Sequence, residues 1–281
     1  MTPDGKPTPG LLTKTALESA SIPHLTINAG SKITPQLPFI ETGLSFGKNI
    51  SVEPAMTDSE VSAAVEFGRI VGRNMASLTD CLVIGESIPG GTTTALAVLR
   101  AFDFDAKTSS SIPTNPIKLK NEVVNSALKR IDSDHPYSIL AKVGDPMIAF
   151  VAGMLSSASA VSKVMLAGGT QMTAVLAFAS KIGFNEENTA IGTTSYITND
   201  QNANFTNLVK QIADIPAISV NPGLNNSKYP GLKAFSEGFA KEGVGAGGTI
   251  ISSMLKTGND SSKFLNLAEQ EYARLSTLSN P

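Results

Sequence analysis

The chain has 281 residues, 41% of them hydrophobic and 16% charged, with a formal net charge of −2. That length supports one large domain or two modest ones, and the near-neutral balance without a long basic run argues against nucleic acid as a partner. A single cysteine, Cys81, excludes an intramolecular disulfide, and two histidines, His24 and His135, argue against a dedicated metal site.

No run of about 20 apolar residues suggests a membrane span, and the polar opening segment does not read as a secretory signal. A soluble cytoplasmic protein is expected. Pro9–Ala20 reads as a first helix and His24–Asn28 as a strand. The Gly-, Pro- and Ser-rich stretch Ala29–Pro54 has little periodicity and reads as a long loop. Thr57 and Glu60 have capping-box spacing. The helix they open aligns Val61, Ala64, Val65, Gly68 and Gly72 on one face, and its glycines predict close packing on a neighbour. An apolar strand at Cys81–Ile84 leads through a glycine turn to a helix at Thr92–Phe102. A polar loop, Lys107–Asn115, precedes a helix over Pro116–Ile131. Pro146 opens a helix to about Ala160 whose small residues predict tight burial. Val164–Ala167 reads as a strand, Gly168–Gly169 as its turn and Thr170–Ser180 as its helix. Ala190–Ile197 and Ala217–Val220 are further strands, and Gly247–Lys256 and Ser262–Ser276 the last helices. This alternation predicts an α/β fold, a parallel sheet covered by helices, with its ligand site at the carboxyl ends of the strands.

Three stretches carry chemistry. The first, GESIPGGTTTAL (Gly85–Leu96), has the glycine spacing of a P-loop, with Thr92 in the final position. Gly91, however, stands where the phosphate-neutralising lysine belongs, which argues against ATP or GTP hydrolysis. The dinucleotide pattern G-x-G-x-x-G fails at Ser87. What remains is a carboxylate at Glu86, expected to be exposed, then Gly90 and Gly91, and Thr92, Thr93 and Thr94 opening a helix. Such a helix start suits a single phosphate; a tight turn with Thr92 as helix cap also explains it. The second, KEGVGAGG (Lys241–Gly248), sets Glu242 before Gly243, Gly245, Gly247 and Gly248. Glycines admit a ligand to the backbone, and Glu242 could serve there as a base; a solvated glutamate on a glycine loop is the alternative. The third, AGGTQMTAVLA (Ala167–Ala177), repeats the strand, glycine pair and helix around Gly168 and Gly169 without a charge of its own; a purely structural turn explains it equally.

In this order, the three stretches resemble the nicotinate-nucleotide:dimethylbenzimidazole phosphoribosyltransferases, and more narrowly the archaeal branch of that family. Gly85–Thr93 is similar to the family's Gly-Glu-Met-Gly-Ile-(Gly/Ala)-Asn-Thr-Thr loop, and EPAMTDSEVSAAVEFG (Glu53–Gly68) to its Pro-Ala-Met-Thr helix entry. KNEVVNSAL (Lys120–Leu128) is similar to its lysine-led helix, and GDPMIAFVAGM (Gly144–Met154) to its Gly-Gly-x-(Asp/Glu)-Ile-Ala helix start. KEGVGAG is similar to its Gly-Glu-Gly-Thr-Gly-Ala stretch. The similarity runs from about Asn49 to Gly248.

The resemblance implies one domain over residues 1–281. Its large α/β part, about 49–248, is an open, mostly parallel sheet with helices on both faces, and a small helical part comes from the N- and C-terminal segments. It also implies a homodimer. The implied reaction transfers phosphoribose from nicotinate mononucleotide to a benzimidazole-type azole base, for cobamide (vitamin B12) lower-ligand assembly, without a cofactor or metal. Glu242 would take the azole proton and Glu86 would contact the ribose. Gly90, Gly91 and Thr92 would line the phosphate with Lys120 as counter-charge. Gly85, Thr93, Gly168, Gly169, Gly243 and Gly245 would complete the substrate-lining set. The chain departs from the family at Lys241, where the family has glycine, and at Ser109–Pro116, where it has a Gly-Arg-Gly loop. Ala167–Gly169 replaces Asp-Gly-Phe, and Thr198–Asp200 replaces a Ser-His pair. The family also carries an extra N-terminal segment that lines the base pocket, so phosphoribose handling is expected to transfer better than the identity of the base. A nucleotide hydrolase or phosphorylase, and a non-catalytic nucleotide-binding relative, are the competing expectations.

Overall fold

The computed structural model describes residues 6–278. The chain opens with α1 (Gly10–Ser19), β1 (Thr26–Asn28), β2 (Phe39–Glu41), α2 (Asp58–Ala76) and β3 (Cys81–Gly85). Between β3 and β4 (Lys163–Ala167) lie α3 (Thr92–Ala101), α4 (Ile117–Leu128), α5 (Pro136–Val143) and α6 (Pro146–Ala158). After β4 come α7 (Thr170–Ile182), β5 (Thr189–Thr194), α8 (Ser195–Thr198), α9 (Phe205–Ile212) and β6 (Ala217–Val220). The chain closes with α10 (Pro230–Lys233), α11 (Ala246–Thr257) and α12 (Ser261–Leu278). Among the described residues no helix is long and apolar enough to cross a membrane.

The main sheet has the order β3-β4-β5-β6, every pair parallel. Parallel neighbours need crossovers, and the intervening helices supply them. Successive side chains alternate between the two faces. Ile84, Val164, Leu166 and Ile191 join a core built with α2, α3, α5, α6, α7 and α9. Met165 and Val220 join a second core, with Val83 packed against it, built with α1, α11 and α12. Helices therefore cover both faces, as expected.

The capping box at α2 is complete: the Glu60 amide donates to Thr57 Oγ1 at 3.2 Å, and the Thr57 amide donates to Glu60 Oε2 at 2.7 Å. The glycine face of α2 packs on α6. A Cβ on Gly68 would collide with the Phe150 carbonyl oxygen, and one on Gly72 would stand 2.5 Å from that of Met154. From the other side, a Cβ on Gly153 would strike the Val65 carbonyl.

The structure differs from the sequence reading in a few places. The stretch expected to be one long loop contains β2, which pairs in parallel with β1, and Asn28 Nδ2 donates to Glu41 Oε2 at 2.9 Å beside that pair. Three residues are too few to show a period. The strand expected to reach Ile197 ends at Thr194 and turns into α8. Gly192 still serves the ladder, accepting from the Gly168 amide at 2.9 Å. Two residues later β4 has turned away, and the Thr194 amide donates to Glu242 Oε2 instead, at 2.9 Å. The short helices α5, α9 and α10 were not anticipated.

Candidate active site at the carboxyl ends of the strands

Glu86 follows the last residue of β3. It is 4% exposed, contrary to the exposed carboxylate expected. Its side chain folds inward over the turn, where Oε2 accepts from the Ile88 amide at 3.0 Å. Gly168, at the end of β4, lies beside it: a Cβ there would stand 3.7 Å from Glu86 Oε1. Burial pushes the Glu86 carboxyl up to about 7, the Ile88 amide opposes this, and the charges of Glu242 and Asp145 add to it. Asp145 caps α6 by accepting from the Met147 amide at 2.9 Å. Its carboxyl is pushed up to about 6, again by burial, with that amide opposing. The sequence reading did not include Asp145 in the site; an Asp-Pro pair at a helix start signals the cap, although not the facing carboxylate.

Glu242 stands in the loop before α11. Oε2 accepts from the Thr194 amide at 2.9 Å and from the Thr193 hydroxyl at 3.3 Å. Oε1 accepts from the Gly247 amide at 3.0 Å and the Gly243 amide at 3.2 Å. Gly245 holds the N-cap position of α11 without a side-chain bond, so the Glu242 carboxylate does that capping from upstream. Burial raises its pKa, and the four donors work against the rise. Gly169 packs alongside, where a Cβ would stand 3.5 Å from Glu242 Cγ and 3.2 Å from Ile197 Cδ1. The loop is strained around this acid: Ala240 and Val244 adopt φ of 45° and 53°, and a β-branched residue there costs on the order of 1–3 kcal/mol. A Cβ on Gly85 would lie 2.9 Å from Gly245 Cα. The end of β3 and the Glu242 loop thus touch backbone to backbone, which brings Glu86 and Glu242 within electrostatic reach.

A second group of residues is basic. Gly91, not Thr92, takes the N-cap position of α3, and no side chain caps that helix. Gly90 adopts φ of 76° with open space around it, whereas a Cβ on Gly91 would collide with Gln171 Oε1. The first turn of α3, with Thr92 and Thr93, is tied to the 108–110 segment, because the Thr108 hydroxyl donates to the Thr92 carbonyl at 2.9 Å. Lys120, on α4 and 5% exposed, donates to the Ser109 carbonyl at 2.5 Å and more weakly to that of Thr108 at 3.5 Å. Burial lowers its pKa to about 8, the charge of Lys241 lowers it further, and Asp200 opposes. Lys241 turns away from Glu242 and pairs with Asp200 at 2.8 Å. The structure therefore gathers Gly85, Glu86, Gly168, Gly169, Glu242, Gly243 and Gly245 on one side, with Lys120 reaching the start of α3 through one segment. Thr193, Thr194 and Asp200 were missed; two consecutive threonines ending β5 were the available signal for the first two. A surface cleft lined by Phe102, Asp103, Asp132 and Asp134 contains none of these groups.

A family model described as Phosphoribosyltransferase matches residues 25–196. The chain is 43% identical over 274 residues to a UPF0284 protein of Archaeoglobus fulgidus, covering 98% of this chain and 78% of the relative. It is 41% identical over 280 residues to one of Sulfurisphaera tokodaii, covering 99% and 79%. Among solved structures it is similar to nicotinate-nucleotide-dimethylbenzimidazole phosphoribosyltransferase from Thermus thermophilus. That match has a TM-score of 0.65 and 16% identity, and covers 91% of this chain and 71% of the other. CobT from the same organism gives 0.64 at 17% identity, covering 93% and 78%. At these identities the structural likeness speaks for the fold: parallel strands with helices on both sides.

Proposed function

Because the chain belongs to the phosphoribosyltransferase family, in its archaeal UPF0284 branch, we propose that it transfers phosphoribose from nicotinate mononucleotide to a benzimidazole-type base, for cobamide lower-ligand assembly. The observation that carries this reading is the Gly168–Gly169 turn, which passes close to both carboxylates: a Cβ would stand 3.7 Å from Glu86 Oε1 at Gly168 and 3.5 Å from Glu242 Cγ at Gly169.

In this reading Glu242 is the general base. A carboxylate has about four acceptor sites, and four donors already occupy Glu242. Three are amides fixed by the backbone. The fourth is the Thr193 hydroxyl, the longest at 3.3 Å, which can rotate away and leave its place to an azole N–H. Glu242 takes that proton while the other ring nitrogen attacks the anomeric carbon. The bond from that carbon to the nicotinate nitrogen breaks, and nicotinate leaves with the electron pair. A base with a raised pKa is better matched to such a transfer near neutrality. Glu86, with its carboxyl near 7, can donate to or accept from the ribose hydroxyls. Gly90, Gly91, Thr92 and Thr93 line the phosphate, with Lys120 as its counter-charge. Holding donor and acceptor in line contributes much of the rate.

The test is incubation with nicotinate mononucleotide, with and without 5,6-dimethylbenzimidazole, while following free nicotinate. Release that requires the base supports transfer. Release without it identifies a hydrolase, and binding without release identifies a non-catalytic relative.

A further inference from the structure

Two buried lysines converge on one short segment. Lys120 and Lys241 are 5% and 7% exposed. Lys120 donates to the Ser109 and Thr108 carbonyls, and Lys241 to the next carbonyl, that of Ser110, at 3.2 Å. The Asp200 carboxylate, 2.8 Å from Lys241 Nζ, is paired with one of them. Two cations against this one acid leave an excess positive charge inside the protein. An ammonium has three donors. Lys241 uses two, and Lys120 makes one short bond and one long one, so each keeps capacity for a further acceptor. Burying unmatched charge is costly, and a site that holds it is prepared for an anion. The same segment is anchored where α3 and α7 begin: the Thr108 hydroxyl donates to the Thr92 carbonyl, and the Ser109 amide to Thr170 Oγ1 at 3.3 Å.

We propose that Lys241 is a second phosphate-binding cation that acts with Lys120, and that Asp200 holds it in position while the site is empty. The ligand class is a ribose 5-phosphate monoester. The identity of the larger molecule carrying that phosphate rests on the transfer reading above; the anion site itself does not. Lys241 and Glu242 are consecutive, and Thr194 bonds both, its hydroxyl to the Lys241 carbonyl at 2.7 Å and its amide to Glu242 Oε2. Phosphate anchoring and acid orientation therefore share one short piece of chain.

Calorimetric titration of the full chain with ribose 5-phosphate tests this. Lys241→Met is expected to weaken binding about 10- to 100-fold, the range for a hydrogen bond to a charged group. Lys241→Met leaves the buried Asp200 carboxylate with the Asn202 amide but without its cation, so Lys241→Met/Asp200→Asn provides a second variant free of that uncompensated charge, with the same loss. Asp200→Asn alone should bind as tightly as the parent or tighter, because a competing anion is gone. Three results overturn the proposal: no binding by the parent protein, parental affinity in Lys241→Met, or a loss in Asp200→Asn equal to that in Lys241→Met, which marks a purely structural ion pair. If ribose 5-phosphate binding depends on Lys241 while no nicotinate is released from nicotinate mononucleotide, the anion site stands and the transfer reading falls.

Discussion

Glu242 joins two jobs, since its carboxylate caps α11 and is the proposed base. Glu242→Gln should slow transfer by about 10²- to 10⁴-fold, the usual worth of a general base. An amide nitrogen would also face N–H donors on one side, so the variant should lose about 1–3 kcal/mol of stability. Calorimetry with nicotinate mononucleotide separates the two effects: affinity should stay near normal while nicotinate release collapses. Near-normal release at saturating base moves the assignment to Glu86. The Glu86 carboxyl makes a different prediction. Its folded pKa of about 7 lies above the ordinary 4.5, so the folded state holds the proton more tightly. Its contribution is full below about pH 4.5 and is lost as pH rises through about 7, a change of about 3 kcal/mol. Urea unfolding across that window should show the parent losing stability relative to Glu86→Gln; a constant difference contradicts the assignment. The sequence marks Glu242 as an acid ahead of four glycines, but a solvated glutamate explains that pattern as well, and the role proposed for it comes from the resemblance. The sequence did not reveal that Glu86 is buried, because burial depends on Ile88 turning back and on Gly168 arriving from another strand. Lys241 and Asp200 likewise meet only in space.

At the scale of elements, α2 and α6 approach closely through Gly68, Gly72 and Gly153. Alanine in place of a mid-helix glycine ordinarily gains about 1 kcal/mol. Here Gly68→Ala places a methyl against the Phe150 carbonyl, so the helices must separate and overpacking should cost about 1–3 kcal/mol net. A fall in the urea midpoint with an unchanged slope reports that loss; a rise shows that the helices part freely. Close packing of this face of α2 was legible from the helical spacing of small residues, although not that α6 is the neighbour, and the cap of α2 was legible from Thr57 and Glu60. Helix α9 also carries a readable stripe, Phe205, Leu208 and Val209 buried with Ile212 packed beside them. Eight residues give barely two turns of period, which is why α9 and the equally short α5 escaped. The end of β5 was illegible for another reason. Thr194 belongs to the strand by propensity, and it is Glu242, far along the chain, that claims its amide.

Across the whole molecule, the alternation of strand and helix foretold a parallel sheet covered by helices, since parallel pairing demands crossovers. The separate β1–β2 pair had no such signature. The site itself is gathered from distant parts of the chain, and one contact has a temporal meaning. Gly85, ending the sheet's first strand, and Gly245, well beyond its last, meet backbone to backbone, and the loop between Ala240 and Gly245 is strained. Closing such a long loop carries an entropic cost that only prior assembly of the intervening elements reduces, so this junction forms late in folding and opens early. Native-state hydrogen exchange should find the amides of Gly243 and Gly247 opening at a lower free energy than those of β4. In dilute urea, transferase activity should then disappear while the sheet is still intact. Equal protection of the loop and β4, up to global unfolding, would show that the junction closes with the core.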